Sequence, residues 1–346
     1  MASAEKTSYE QPLLEISGLK TVFPTDDGIV NAVNDVSFSI ARGQTVGVVG
    51  ESGCGKSITG LSMLQLVPPP GRIENGEILF YRNGNDEPLD IAQVSPKSEL
   101  MRVIRGNEIA IIFQEPMTSL NPVYTVGNQI AEAIVLHEQV DKKMARERAI
   151  EMIARVGIPA PAQRVDEYPH QLSGGMRQRV MIAMALCCSP TLLIADEPTT
   201  ALDVTIQAQV LGLMQELQAE MGMAIMLITH DLGVIADLAD EVVVMYSGRV
   251  VEKGTVDDIF YNPLHPYTQG LLKSIPVLGK ISEKTLPSIP GTVPHPLTLP
   301  RGCSFGPRCP ERMPECDQMP ELAGVNGKSE NGGHTVRCWL HTDLEG

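Results

Sequence analysis

The sequence predicts an α/β fold built on a parallel β-sheet, and three observations carry that expectation. Residues 45–50 (TVGVVG), 108–113 (EIAIIF), 191–196 (TLLIAD) and 223–229 (MAIMLIT) are short continuous runs of apolar, often β-branched residues, the pattern of strands buried on both faces. Stretches of helical periodicity alternate with these runs, as the crossover connections of a parallel sheet require. The first run ends in a glycine-rich turn, which places ligands at the carboxyl ends of the strands.

Taken in order, residues 13–23 (LLEISGLKTVF) and 30–40 (VNAVNDVSFSI) read as strands, joined through the turn ARGQ to the buried run at 45–50. Residues 51–65 follow as a helix. From 114 to 171 the period becomes helical with charged faces (DKKMARERAIEMIARVG), a helical insertion. A strand pair over 241–254 turns at Ser247 and Gly248. Beyond Tyr261 the composition shifts: 12 of the 26 prolines fall in the last 86 residues and periodicity fades after Leu272. A boundary is therefore expected near residue 262. The glycine-rich turn after the first buried run occurs once, without an internal repeat.

The chain has 346 residues, 43% of them apolar, and a formal charge of −15, so it has material for a large core. That charge argues against nucleic acid as the main partner, because phosphate backbones are neutralised by clustered Lys and Arg. The first twenty residues lack the basic start and continuous apolar stretch of a secretory signal, and no export is expected. The most apolar window, 180–195, is broken by Ser189 and Pro190 and falls short of the roughly 20 residues that span a bilayer. A protein soluble by itself is expected.

Residues 50–57, GESGCGKS, fit the phosphate-loop pattern G-x-x-x-x-G-K-[ST] in its required place between strand and helix. Backbone N–H groups of Gly50, Glu51, Ser52, Gly53, Cys54 and Gly55 are candidates to cradle phosphates, with Lys56 on the β- and γ-phosphates and Ser57 on Mg²⁺. LLIADE at 192–197 ends a buried strand in two carboxylates. Asp196 suits Mg²⁺ held through water, and Glu197 suits proton abstraction from a water attacking the γ-phosphate. QLSGGMRQRV at 171–180 sets Ser173, Gly174 and Gly175 at the head of a helix, where Ser173 is a good N-cap and the glycines leave the helix end open to an anion. Alone, that segment reads equally as a simple cap.

Together these motifs resemble the ATP-binding cassette (ABC) family over residues 13–262, and the family's elements stand in its order. They are the phosphate loop, a Q-loop glutamine at Gln114, the signature at 172–175, the strand ending in Glu197, a D-loop at Ala201, Leu202 and Asp203, and a switch histidine at His230. Met176 departs from the glutamine that many members carry after the signature, and Phe23 stands where Tyr or Trp usually stacks on adenine. The resemblance implies a RecA-like P-loop NTPase fold with an antiparallel β subdomain, a helical insertion at about 115–172, and a cysteine-rich extension over 263–346. It further implies that Gln114 contacts Mg²⁺ or the attacking water and that His230 contacts the γ-phosphate. Each ATP is then shared with Ser173, Gly174, Gly175 and Asp203 of a second ABC ATPase chain, either identical to this one or, as peptide importers often have, similar and not identical.

A closer resemblance is to the ATPase subunits of oligopeptide and dipeptide importers, carried by residues 114–130, 196–210, 265–272 (HPYTQGLL) and the cysteine-bearing tail. It implies two transmembrane permease subunits, a solute-binding protein, and a place on the cytoplasmic face of the cell membrane. Peptide as solute is analogy, since similar cassettes serve nickel, glutathione or sugars. A soluble cassette acting in translation or DNA repair is the distant alternative; such proteins usually carry two cassettes or large insertions, and basic surfaces. A non-hydrolysing cassette would need damaged motifs, and Lys56, Glu197 and His230 are intact.

The tail spaces its cysteines as Cys303-x5-Cys309-x6-Cys316-x21-Cys338. Four thiolates match either Zn²⁺ or a four-iron cluster, and the paired C-x-x-C knuckles that favour zinc are absent. The resemblance implies a four-iron, four-sulfur cluster, with zinc as the alternative. Being far in sequence from Lys56 and Glu197, such a group is expected to order the tail and take no part in hydrolysis.

Overall fold

A computed structural model describes residues 12–82, 87–114, 119–200, 202–275, 288–324 and 333–341. In chain order its strands are β1 (Pro12–Thr25), β2 (Gly28–Ala41), β3 (Thr45–Val49), β4 (Arg72–Phe80), β5 (Leu89–Asp90), β6 (Ile109–Ile112), β7 (Leu192–Asp196), β8 (Ala224–Ile228), β9 (Glu241–Tyr246), β10 (Arg249–Thr255), β11 (Ala323–Gly324) and β12 (Thr335–Val336). The chain divides into two compact units, one built on Leu13–Ile40, Thr45–Gln93 and Ile228–Gly346, the other on Val94–Leu227 with Ala41–Gln44.

In the first unit β2, β1, β4 and β5 form an antiparallel sheet, with Leu14 opposite Phe80 and Ile16 opposite Ile78. Alternation buries Leu14, Ile16, Val36, Phe38 and Ile40 on one face, and each fully buried aliphatic side chain contributes about 1.5–3 kcal/mol. β3 pairs in parallel with β9, and every residue of both strands is buried, which is why these segments show no alternation. The β9–β10 hairpin turns where expected, with φ 46° at Ser247 and 80° at Gly248, the paired left-handed residues of a tight hairpin. β10 then pairs with β12 and β12 with β11, so the C-terminal tail continues this sheet.

In the second unit the strands lie in the order β8, β7, β6, with Ile109 beside Leu192 in parallel register. Between β6 and β7 this unit is helical. The helix Val126–Glu138 is capped by Thr125 and Lys142–Arg155 by Asp141, and Ile130, Ile134, Ala145, Ala149 and Ile153 form their buried stripe.

One expectation needs correction, and two features go beyond what the sequence predicts. The first helix starts at Lys56 and not at residue 51, because 51–55 are spent on the loop itself. β4 has no counterpart among the strands expected from sequence: RIENGEILF alternates poorly, and its partner β1 supplies the order. The tail also carries regular structure beyond Leu272, because β10 offers it an edge.

Candidate functional site

The phosphate loop leaves β3 under tight steric control. Gly50 has φ 149°, and a Cβ there would fall 2.2 Å from the carbonyl oxygen of Met245; a Cβ on Gly55, at φ 98°, would fall 2.3 Å from that of Ala32. Only glycine fits either place. Lys56 is buried, and its ammonium donates to the carbonyl oxygens of Gly50 (2.7 Å) and Glu51 (3.1 Å). Ser52 and Gly53 are exposed at the tip, and Ser57 is half-buried in the first turn of the helix Lys56–Met63. Burial pushes the Cys54 thiol up from its ordinary range, against the pull of Lys56. Phe23 is half-buried with its ring against Gly71.

In the other unit Asp196 is the buried last residue of β7, and Glu197 follows in the left-handed region at φ 47°. A non-glycine residue there stores roughly 1–3 kcal/mol of backbone strain, a cost common where a side chain must be aimed. The Glu197 carboxylate accepts from Gln114 Nε2 (2.9 Å) and from Thr200 Oγ1 (2.8 Å). The structure therefore unites two predicted residues, and adds Thr200, which the sequence reading did not single out. Ser173 caps the helix Gly174–Leu186 by accepting from Met176 N (3.3 Å), and Ser173 and Gly174 are exposed. Gln178 of that helix donates to the carbonyl of Pro198, tying the signature helix to the loop after Glu197. Asp203 caps the helix Val204–Met221; Ala201, also assigned to the D-loop, lies outside the described residues. His230 is exposed, and Asp231 beside it caps the helix Leu232–Leu238.

The tail reaches the phosphate loop, which its distance in sequence concealed. Arg308 presents a two-pronged guanidinium to the Glu51 carboxylate, at 2.7 and 3.1 Å, and the Glu51 N–H donates to Tyr267 Oη at 2.8 Å. Nearby, the fully buried Glu252 carboxylate accepts from the N–H groups of Leu264 (2.7 Å) and His265 (2.9 Å) and lies 2.8 Å from His334 Nε2. His265 in turn accepts from Tyr267 N at 3.0 Å, so the HPY segment is fixed end to end. Burial pushes the His265 pKa down to about 4, with Glu252 opposing and His341 assisting.

Cys316 lies close enough to Cys303, Cys309 and Cys338 to raise the pKa of each. Burial first, then the neighbouring thiols, lift Cys338 to about 11 and raise Cys303 and Cys309. Cys303 N–H donates to Cys316 O at 2.9 Å, and a cavity of about 350 Å³ opens beside these two residues and Arg312. As a donor set the four thiols fit a metal or cluster. Among the described residues, however, no three His, Cys, Asp or Glu side chains stand at ligating separation. No described helix is long and apolar enough to cross a membrane.

Two family profiles match the chain: one described as ABC transporter over residues 33–200, and one described as the C-terminal region of oligopeptide/dipeptide transporters over 251–316. A putative peptide import ATP-binding protein of Brucella melitensis is 52% identical over 94% of this chain and 97% of its own length. The oligopeptide transport ATP-binding protein AppD of Bacillus subtilis is 52% identical over 96% and 97%, and the dipeptide transport protein DppD of that organism 50% over 95% of each. Among solved structures, cbiO1 of Clostridium perfringens matches with TM-score 0.60 at 28% identity, over 73% of this chain and 92% of its own. The dimeric cassette MJ0796, bound to ADP and phosphate, has the same fold at TM-score 0.61 and 24% identity, over 70% and 98%.

Proposed function

This chain belongs to the ATP-binding cassette transporter family, and we propose that it is the ATP-hydrolysing subunit of a multi-component peptide importer. One observation carries the reading: a phosphate loop with a buried lysine leaves β3, in a chain half identical to peptide-import ATP-binding proteins along nearly its whole length. Residues 1–262 hold the hydrolytic machinery and 263–346 a transporter-type extension.

In this reading Lys56 and the loop amides bind the β- and γ-phosphates, Phe23 stacks on adenine, and His230 contacts the γ-phosphate. Ser57, Gln114 and Asp196 would hold Mg²⁺, which when bound neutralises charge on the phosphate oxygens. Glu197, held by Gln114 and Thr200, takes the proton of a water whose oxygen bonds to the γ-phosphorus; the bond to the β–γ bridging oxygen breaks and ADP leaves. Ser173, Gly174, Gly175 and Asp203, exposed or half-buried at helix starts, serve the nucleotide of a second, similar ATPase chain. Two permease subunits, met through the helical insertion, and a solute-binding protein complete the importer and hold this chain at the cytoplasmic face of the membrane.

Cys303, Cys309, Cys316 and Cys338 would hold a four-iron, four-sulfur cluster, with zinc as the alternative. Anaerobically purified protein should carry about four irons per chain, and colourless protein with one zinc would replace the cluster by a zinc site. For the main reading, Glu197→Gln in the assembled complex should still bind ATP while turnover falls by roughly 10²–10⁴-fold. Hydrolysis near the wild-type rate would remove Glu197 as the base.

A further inference from the structure

We propose that Arg308, in the C-terminal extension, is a positioning residue of the phosphate loop, setting ATP affinity through Glu51. The inference rests on the nucleotide-binding reading above and adds a residue outside every motif that supports it.

Glu51 has four polar groups, and each is committed. Its N–H donates to Tyr267 Oη (2.8 Å), and its two carboxylate oxygens accept from Arg308 at 2.7 and 3.1 Å. Its carbonyl accepts from Lys56 Nζ (3.1 Å) and from Cys54 N (3.3 Å). The residue that the tail grips is thus the same one that steadies the ammonium meant for the phosphates.

The grip is built for rigidity. The Arg308 side chain is only 4% exposed, whereas that of Glu51 is 29% exposed, so the buried charge belongs to the tail and the loop supplies its counter-charge. Arg308 Nε donates to Pro290 O (3.0 Å) and its guanidinium also to Tyr246 Oη (3.3 Å), while Tyr246, Tyr267 and Phe305 pack with ring centroids 4.7–5.4 Å apart. A guanidinium fixed along its edges transmits position, because its fork admits one orientation of the carboxylate. Arg308 ends a short turn, Gly306–Arg308, that starts three residues after Cys303 and is followed at once by Cys309.

A purely structural arginine would alter stability whatever residue stood at 51. A positioning arginine acts only through Glu51. The test measures binding of Mg·ATP to the full-length chain by titration calorimetry, with thermal melting alongside, for wild type, Arg308→Ala, Arg308→Lys, Glu51→Gln and Glu51→Gln with Arg308→Ala. Arg308→Ala should weaken binding by about tenfold or more, and Arg308→Lys by less, since it keeps charge and loses the fork. In the Glu51→Gln background the further loss from Arg308→Ala should be under about twofold, the signature of coupled residues. If Arg308→Ala does not fold, Arg308→Lys takes its place in the same cycle. Binding within about twofold of wild type, or an equal loss in both backgrounds, overturns the proposal. Wild-type protein that fails to bind ATP, or binding indifferent to Lys56→Ala, would instead overturn the nucleotide-binding reading.

Discussion

The phosphate loop and the C-terminal tail are both irregular segments, held in place by opposite means. The loop is fixed mainly through backbone: positive φ at Gly50, Gly53 and Gly55, carbonyl oxygens of neighbouring segments where a Cβ would stand, and a strand and helix on either side. The tail is fixed through buried polar side chains. Glu252 holds Leu264, His265 and His334, while Arg337 reaches Val250 O, Pro320 O and Asp35. Trp339 Nε1 reaches Gln318 O at 3.0 Å. The difference teaches that backbone-held structure tolerates no added atom, whereas structure held by side chains fails when one charge or proton is misplaced.

The sharpest way to break the comparison is Gly50→Ala. Its Cβ would meet the Met245 carbonyl oxygen at 2.2 Å in a backbone conformation that already disfavours side chains. Strain of about 1–3 kcal/mol plus the collision should displace the loop and cost ATP affinity more than about tenfold, read by calorimetry. Unchanged affinity would show that the loop is not held by its backbone.

Glu252→Gln asks the corresponding question of the tail. The amide keeps the shape but removes the charge of a fully buried carboxylate that serves three hydrogen bonds, so the tail should lose about 3 kcal/mol. Hydrogen exchange at the amides of Leu264 and His265 should accelerate, while that of β7 stays protected. Equal acceleration in both would mean that the tail is not a distinct cooperative region.

The smallest effect is a dependence on pH. His265 is buried with its pKa pushed down to about 4, against about 6.5 in the unfolded chain. Between those values the unfolded state binds a proton that the folded state refuses, so stability is full above about 6.5 and falls with pH by up to about 1.4 kcal/mol per unit. His265→Asn keeps an acceptor for the Tyr267 N–H and removes the titration. Urea midpoints measured from pH 7 to pH 5 should fall less steeply in the variant, and parallel slopes would assign the acid sensitivity elsewhere.

What could be read from the chain follows the same division. Gly50, Lys56, Ser57, Asp196, Glu197 and Ser173 could be proposed from the chain because a phosphate site needs particular residue types at short, fixed spacing along strand ends and helix starts, and Gln114 from the family resemblance alone. The strands β3, β7, β8 and β9 were legible because strands buried on both faces are continuously apolar. β4 was not, because its order comes from pairing with β1. Thr200 escaped notice because a hydroxyl three residues after Glu197 has no signature until the chain turns it back at 2.8 Å.

Sequence by itself determined the nucleotide chemistry, the family, and the presence of four cysteines in one proline-rich tail. Tertiary structure alone decided that this tail grips the phosphate loop. Arg308 and Glu51 stand 257 positions apart, and no local spacing or periodicity encodes a pairing that exists only once β9 and β10 have brought the two segments together. Local motifs record what a backbone must do next; a salt bridge between distant residues records only where folding leaves them.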